Sequence, residues 1–268
     1  MGRNQRLGLS ADIALNIMKH CPRLIYFESK IANTSIPAPA MPILLVALRM
    51  FIFGRSRSSI NAMSVTHLLQ QLLMPELRHM RLPRITNRAP ISAVTFLIHL
   101  GVRSSLAEEL DLDLAGLAQD SLIENLLLLP SLTKLVVLEC NGVQPGVHYS
   151  MATVSRLLAA LAPESKHEPD LVVPPLCPLL RELQLRKCHA LPGAEAELLA
   201  FARRRLDLMN SSDPTRFTRL EVEYTDVVSP IEADVLASFA ARGLTISKRY
   251  VGAVVFHHDS LDRRGSVT

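Results

Sequence analysis

The sequence contains no tryptophan, and aromatic residues make up only 4% of its 268 positions. Hydrophobic residues still account for 49% and charged residues for 20%. That balance excludes a disordered chain and requires an aliphatic core, chiefly leucine. The length suffices for one large domain or two small ones. With only four cysteines, a disulfide framework is excluded, and reduced intracellular thiols are the expectation. No apolar run is long enough to cross a bilayer: "PILLVALRMFIF" (42–53) is too short and carries Arg49. The opening stretch lacks the apolar core of a signal peptide, its Asp12 counts against a mitochondrial presequence, and Arg6 stands where myristoylation wants Ser or Thr. These absences predict a cytoplasmic or nuclear protein.

Charge is lopsided but not concentrated. The net charge is +4, and the basic runs, "RSR" at 55–57 and "RRR" at 203–205, are short. Both read as solvated faces, so neither nucleic acid nor membrane is an expected partner. The sequence has no G-x-S-x-G elbow, no P-loop, no G-x-G-x-x-G and no closely spaced cysteine pair. Catalytic residues, cofactors and a metal site are therefore not expected. "HH" at 257–258 reads as a solvated tail.

What the sequence does have is internal repetition. "PSLTKLVVLEC" (130–140) and "PLLRELQLRKC" (178–188) align without a gap as P-x-L-x-x-L-x-[VL]-x-x-C. Leu132, Leu135 and Val137 match Leu180, Leu183 and Leu185. Weaker copies follow Leu24 and Phe27; Leu45, Leu48 and Met50; Leu77, Met80 and Leu82; Leu110, Leu112 and Leu114; and Phe217, Leu220 and Val222. That makes about seven copies, more than the roughly three that a stack of repeats needs. Cys140 and Cys188 are equivalent to each other and fill the slot at the end of a strand. Cys177 stands where the other copy has Leu129.

Helical signals lie between the copies. Residues 64–73, 120–129, 151–162 and 193–208 have helical composition or spacing, with Ser64 as a cap and Ser121 with Glu124 as a capping box. Residues 229–243 carry Ser229 as cap, Pro230 in the first turn and Gly243 as terminator. "LTISKRY" (244–250) reads as a closing strand. The fold expected is α/β: a leucine-rich-repeat solenoid of strand–helix units with a parallel sheet on the concave side. Residues 1–100 read as degenerate N-terminal repeats and 101–250 as better-preserved repeats. The Pro- and charge-rich stretch 163–175 reads as an insertion loop, and 251–268 as a C-terminal tail.

The two strong copies, with "ELLAFARRR" (197–205) after them, resemble the leucine-rich-repeat region of fungal F-box proteins of the mushroom-forming type. The resemblance covers about residues 105–250. It implies a substrate-recognition module of a ubiquitin-ligase adaptor, whose F-box would grip a Skp-type adaptor. No F-box segment is seen in residues 1–40, where "SADIALNIMKHCPRL" (10–24) already reads as one repeat's helix entering the next strand. A chain that opens mid-repeat suggests a truncated or decaying paralogue without a retained partner. An α/β hydrolase or transferase with leucine-rich strands is the other alternative.

Residues between the repeat leucines point away from the core. They predict an exposed column of Glu109, Asp111, Asp113, Lys134, Glu182, Gln184, Arg186, Arg219, Glu221 and Glu223. Asp111 and Asp113 read as a solvated strand face rather than a glycosidase pair. Carboxylates outnumber cations in this column, so a protein ligand with a basic segment is the expected partner.

Overall fold

A computed structural model describes residues 9–32, 42–53, 60–61, 68–82, 85–86, 106–113, 123–124, 126–138, 152–163, 175–188, 193–208, 216–225 and 231–251. Its centre is an eight-stranded sheet in which strand order follows chain order. The strands are β1 (Tyr26–Ser29), β2 (Met50–Phe53), β3 (His79–Arg81), β4 (Glu109–Asp113), β5 (Lys134–Leu138), β6 (Glu182–Cys188), β7 (Arg219–Tyr224) and β8 (Thr245–Tyr250). Every neighbouring pair is parallel. The sheet passes residue 100 without a break, because β3 pairs directly with β4. Helices are α1 (Ala11–His20), α2 (Ala152–Leu161), α3 (Ala194–Asp207) and α4 (Ala233–Ala241). From β5 onward, strands and helices alternate. Earlier, two-residue parallel bridges such as Ile43–Leu44 with Leu72–Leu73 occupy part of the connections.

One local device recurs at the entries of β2, β3, β5 and β6. Leu48, Leu77, Leu132 and Leu180 are fully buried. Each donates its amide three residues back, to Leu45, Met74, Leu129 and Cys177 respectively. The backbone then stitches to its predecessor. The Arg49 carbonyl accepts from the amides of Arg78 and His79, Arg78 from Glu108 and Glu109, Glu108 from Thr133 and Lys134, Thr133 from Arg181 and Glu182, and Arg181 from Thr218 and Arg219. The equivalence of Cys177 with Leu129 read from the alignment is thus also a geometric one.

The helix-facing side of the sheet is a continuous apolar row. Phe27, Phe51, Met80, Leu110, Leu135, Leu183 and Leu220 are register partners, and all are buried. Phe27 stacks on Phe51 with centroids 5.5 Å apart. The second copy needs a correction: its entry leucine is Leu48, not Leu45, and its inward residues are Phe51 and Phe53 rather than Met50. "MFIF" is apolar at every position, so alternation says nothing about which face is buried, and register decides it.

Gly243 ends α4 as expected. Its φ is 77°, a left-handed conformation that suits glycine. Its amide reaches the Ala240 carbonyl at 2.9 Å and that of Leu244 reaches Phe239 at 3.0 Å, the paired bonds of a Schellman end. The start of the helix differs from expectation: Glu232 is the capping position. Cys140, the centre of the 163–175 stretch, Ser64, Ser121, Ser229, Pro230, His257 and His258 lie outside the described residues.

Two charges face inward. Lys248, on the helix-facing side of edge strand β8 opposite Val222, sets its Nζ 2.6 Å from Glu195 and 5.6 Å from the Tyr224 ring centroid. An inward charge on an outer strand discourages further strand addition. Arg205 overturns the reading of "RRR" as a solvated face, because its side chain is fully buried. It donates to the carbonyls of Leu161 at 3.0 Å, Cys177 at 2.6 Å and Pro178 at 3.1 Å. It thereby joins the end of α2, the turn before β6 and α3. Burial lowers its pKa to about 10, which leaves it charged at neutral pH. Arg205→Ala would leave the buried carbonyls of Leu161 and Cys177, and the part-buried one of Pro178, without this donor and should cost about 3 kcal/mol in urea unfolding. Exposed Arg203→Ala should stay within about 0.5 kcal/mol.

Candidate functional site

The opposite side of the sheet carries side chains in two well-ordered rows. Tyr26, Met50, His79, Glu109, Lys134, Glu182, Arg219 and Thr245 are mutual register partners. Two residues further along each strand, Glu28, Ile52, Arg81, Asp111, Val136, Gln184, Glu221 and Ser247 form the second. The sequence-predicted residues Glu109, Lys134, Glu182 and Arg219 fall in the first row, and Asp111, Gln184 and Glu221 in the second. Arg186 pairs with Leu138, and Glu223 with Arg249. Asp113 belongs to β4, and its side chain lies outside the described residues.

The expected column of exposed residues is corrected at Gln184, which is only 6% exposed. Val136, absent from that column, also sits in the outward row yet is buried. Both lie at the middle of the sheet, with a paired strand on either side. Together with Met50, Ile52, His79, Arg81, Glu109, Asp111, Lys134 and Arg186 they line an open hollow of about 250 Å³. Met50, Ile52, His79 and Arg81 come from β2 and β3, where sequence reading either mis-set the phase or selected only the inward residues. The alternation of "HMRL" around Met80 is a signal that could have found His79 and Arg81.

Charges on this face largely satisfy one another. Glu109 takes His79 at 3.2 Å and Lys134 at 3.7 Å, and Lys134 also reaches Glu182 at 3.9 Å. Arg81 meets Asp111 at 3.0 Å. Arg219 donates to Glu221 through Nε at 2.9 Å; that hydrogen bond first, and the carboxylate charge second, raise its pKa. Adding His79 and Arg81 to the column narrows the carboxylate excess found by sequence counting.

Arg186 is placed differently. Its Nη2 donates to Gln184 Oε1 at 2.8 Å, and among the described residues no carboxylate pairs with it. The register of β6 against β7 shifts between Leu185 and Cys188, and Lys187 takes a φ of 57°. Arg186 and Lys187 thus share the space opposite Glu223, a bulge of the kind that re-aims side chains.

The cysteines of the repeat are structural in their surroundings. Cys177 and Cys188 are both buried, while Cys21 is exposed. Cys177 Sγ lies 3.7 Å from the Leu126 carbonyl, and burial pushes its thiol from 9.0 up to about 12. Among the described residues no group of three His, Cys, Asp or Glu side chains could hold a metal ion, and no helix is long and apolar enough to cross a membrane.

Two expectations follow. Because the ion pairs are half-exposed, neutralising Lys134 with Met should change stability by less than about 1 kcal/mol in chemical unfolding. The raised Cys177 pKa contributes stability that is complete below pH 9 and is lost as pH climbs toward about 12. In a Cys140→Ser background, a thiol reagent at pH 8 should label Cys21 rapidly and Cys177 and Cys188 only after unfolding. The urea midpoint should also fall less steeply above pH 9 in Cys177→Ala than in the parent chain. Neither a scan against protein-family models nor a search of the curated proteins gives a match to this chain.

Proposed function

We propose that this chain is a non-enzymatic, protein-binding leucine-rich-repeat solenoid, akin to the substrate-recognition part of F-box ubiquitin-ligase adaptors and acting in the cytoplasm or nucleus. The observation that carries the reading is the recurrence of one strand-entry turn and one double-amide stitch from strand to strand. Units built alike and stacked in chain order leave one side of the sheet open as an extended surface, which suits a macromolecule better than a small substrate. A hollow of about 250 Å³ is smaller than the roughly 300–1,000 Å³ of small-molecule pockets.

The partner chemistry shifts from the sequence-based expectation. Glu109, Asp111, Glu182 and Glu221 each already face a cation, so a basic segment would have to displace existing pairs. The face itself remains the binding surface in this reading. Affinity purification of the tagged chain from its native cells should recover a partner that survives Arg203→Glu on α3 and is lost with the double variant Lys134→Glu, Arg186→Glu. A partner retained equally by both would move binding off the sheet. Skp and cullin subunits among the captured proteins would support the adaptor role; their absence would remove that role while leaving a protein-binding module.

A further inference from the structure

We propose that the hollow on the open side of the sheet receives an acidic peptide segment, in which one carboxylate meets Arg186 and an aliphatic side chain further along the segment rests on Met50 and Ile52. This rests on the protein-binding reading above and names the chemistry of its ligand. Charge supports it first. Among the residues lining the hollow, Arg81, Lys134 and Arg186 stand with Glu109 and Asp111, and Glu182 reaches Lys134 from beside it, so these charges balance in number and Arg186 is the cation that no carboxylate meets among the described residues. Arg81 and Lys134 are engaged with carboxylates of the same face; Arg186 contacts the Gln184 amide oxygen instead. A guanidinium presents five N–H donors in a planar fork suited to a carboxylate. Gln184, buried beneath it, spends its oxygen on holding that fork in place.

Shape and polarity narrow the ligand further. Val136 is flanked in register by Asp111 and Gln184 and is buried, so the apolar surface of the hollow is supplied from β2. Met50 and Ile52 lie at the β2 side of the same hollow, and methionine adapts readily to different apolar shapes. The volume accommodates one or two side chains. Glu109 and Asp111 repel a densely charged polymer, so a nucleic-acid strand fits poorly, whereas an isolated carboxylate with an aliphatic group further along the segment meets both ends of the surface.

The test is selection of a random peptide phage library on the full chain, followed by fluorescence anisotropy with the synthetic consensus peptide. The expected consensus places Leu, Ile or Val about five residues from Asp or Glu, because β2 and β6 stand four strand spacings, about 19 Å, apart. Arg186→Glu should weaken its binding about ten-fold or more, as loss of a charge-assisted contact would. Arg186→Met, which keeps the aliphatic stem and guards against a folding defect, should weaken it by a similar factor. Gln184→Ala should have a smaller effect, and raising salt should weaken binding of the parent chain. A basic consensus, or a consensus bound equally by the parent chain and both Arg186 variants, would overturn the assignment while leaving a protein-binding surface. Absence of any enriched peptide would overturn it too, and the native-cell purification would then judge the broader reading separately. Tight binding of a labelled oligothymidylate that Arg186→Glu abolishes would overturn it in favour of nucleic acid.

Discussion

Everything in this molecule depends on how one strand is held in register with the next. A parallel strand with leucines on one side cannot bury that side alone, and it has no hairpin to set its alignment. Here the alignment comes from the backbone. From β1 to β6, the carbonyl just before each strand accepts two amides from the following unit, so the entry leucines and inward side chains fall into rows. An error of one residue at any stitch would turn the apolar set outward. The register also explains why eight strands separated by uneven stretches of chain still form one sheet. The long connection between Lys134 and Glu182 holds α2, yet the strands it joins pair as regularly as the others.

The same register organises the open side. Because partners face each other directly, charges on adjacent strands become neighbours, and the ladder of His79, Glu109, Lys134 and Glu182 results. Pairs this exposed contribute little to stability. Their consequence is electrostatic: they cancel, and so they single out the groups left over. The bulge in β6 interrupts the pattern at Arg186, and the hollow lies beside that interruption. Burial, by contrast, governs the sulfurs and Arg205. Cys177 sits in an apolar turn, and Arg205 holds that turn to two helices through its carbonyls.

Much of this was readable in the residues themselves. Leu132, Leu135 and Val137, and their counterparts Leu180, Leu183 and Leu185, determined two strands, their inward faces and their mutual equivalence. Gly243 determined where α4 stops. Period-two alternation also named Glu109, Lys134, Glu182 and Arg219 as members of one outward row. The limits were physical. In "MFIF" every side chain is apolar, so no pattern could tell Met50 and Ile52 from Phe51 and Phe53. "RRR" gave no sign that one of its three arginines turns inward, since helical position relative to a neighbouring turn is not a property of composition.

The sequence by itself determined that the chain is α/β, that its strands are leucine-faced and repeated, and which way most of them point, because these follow from local periodicity. Only the tertiary structure decided that most of the outward carboxylates are paired, that Gln184 and Val136 are covered, and that Arg186 meets an amide oxygen rather than a described carboxylate beside a hollow of mixed polarity. Those properties arise between strands that are distant in the chain, where register and burial, rather than local pattern, choose each side chain's neighbours.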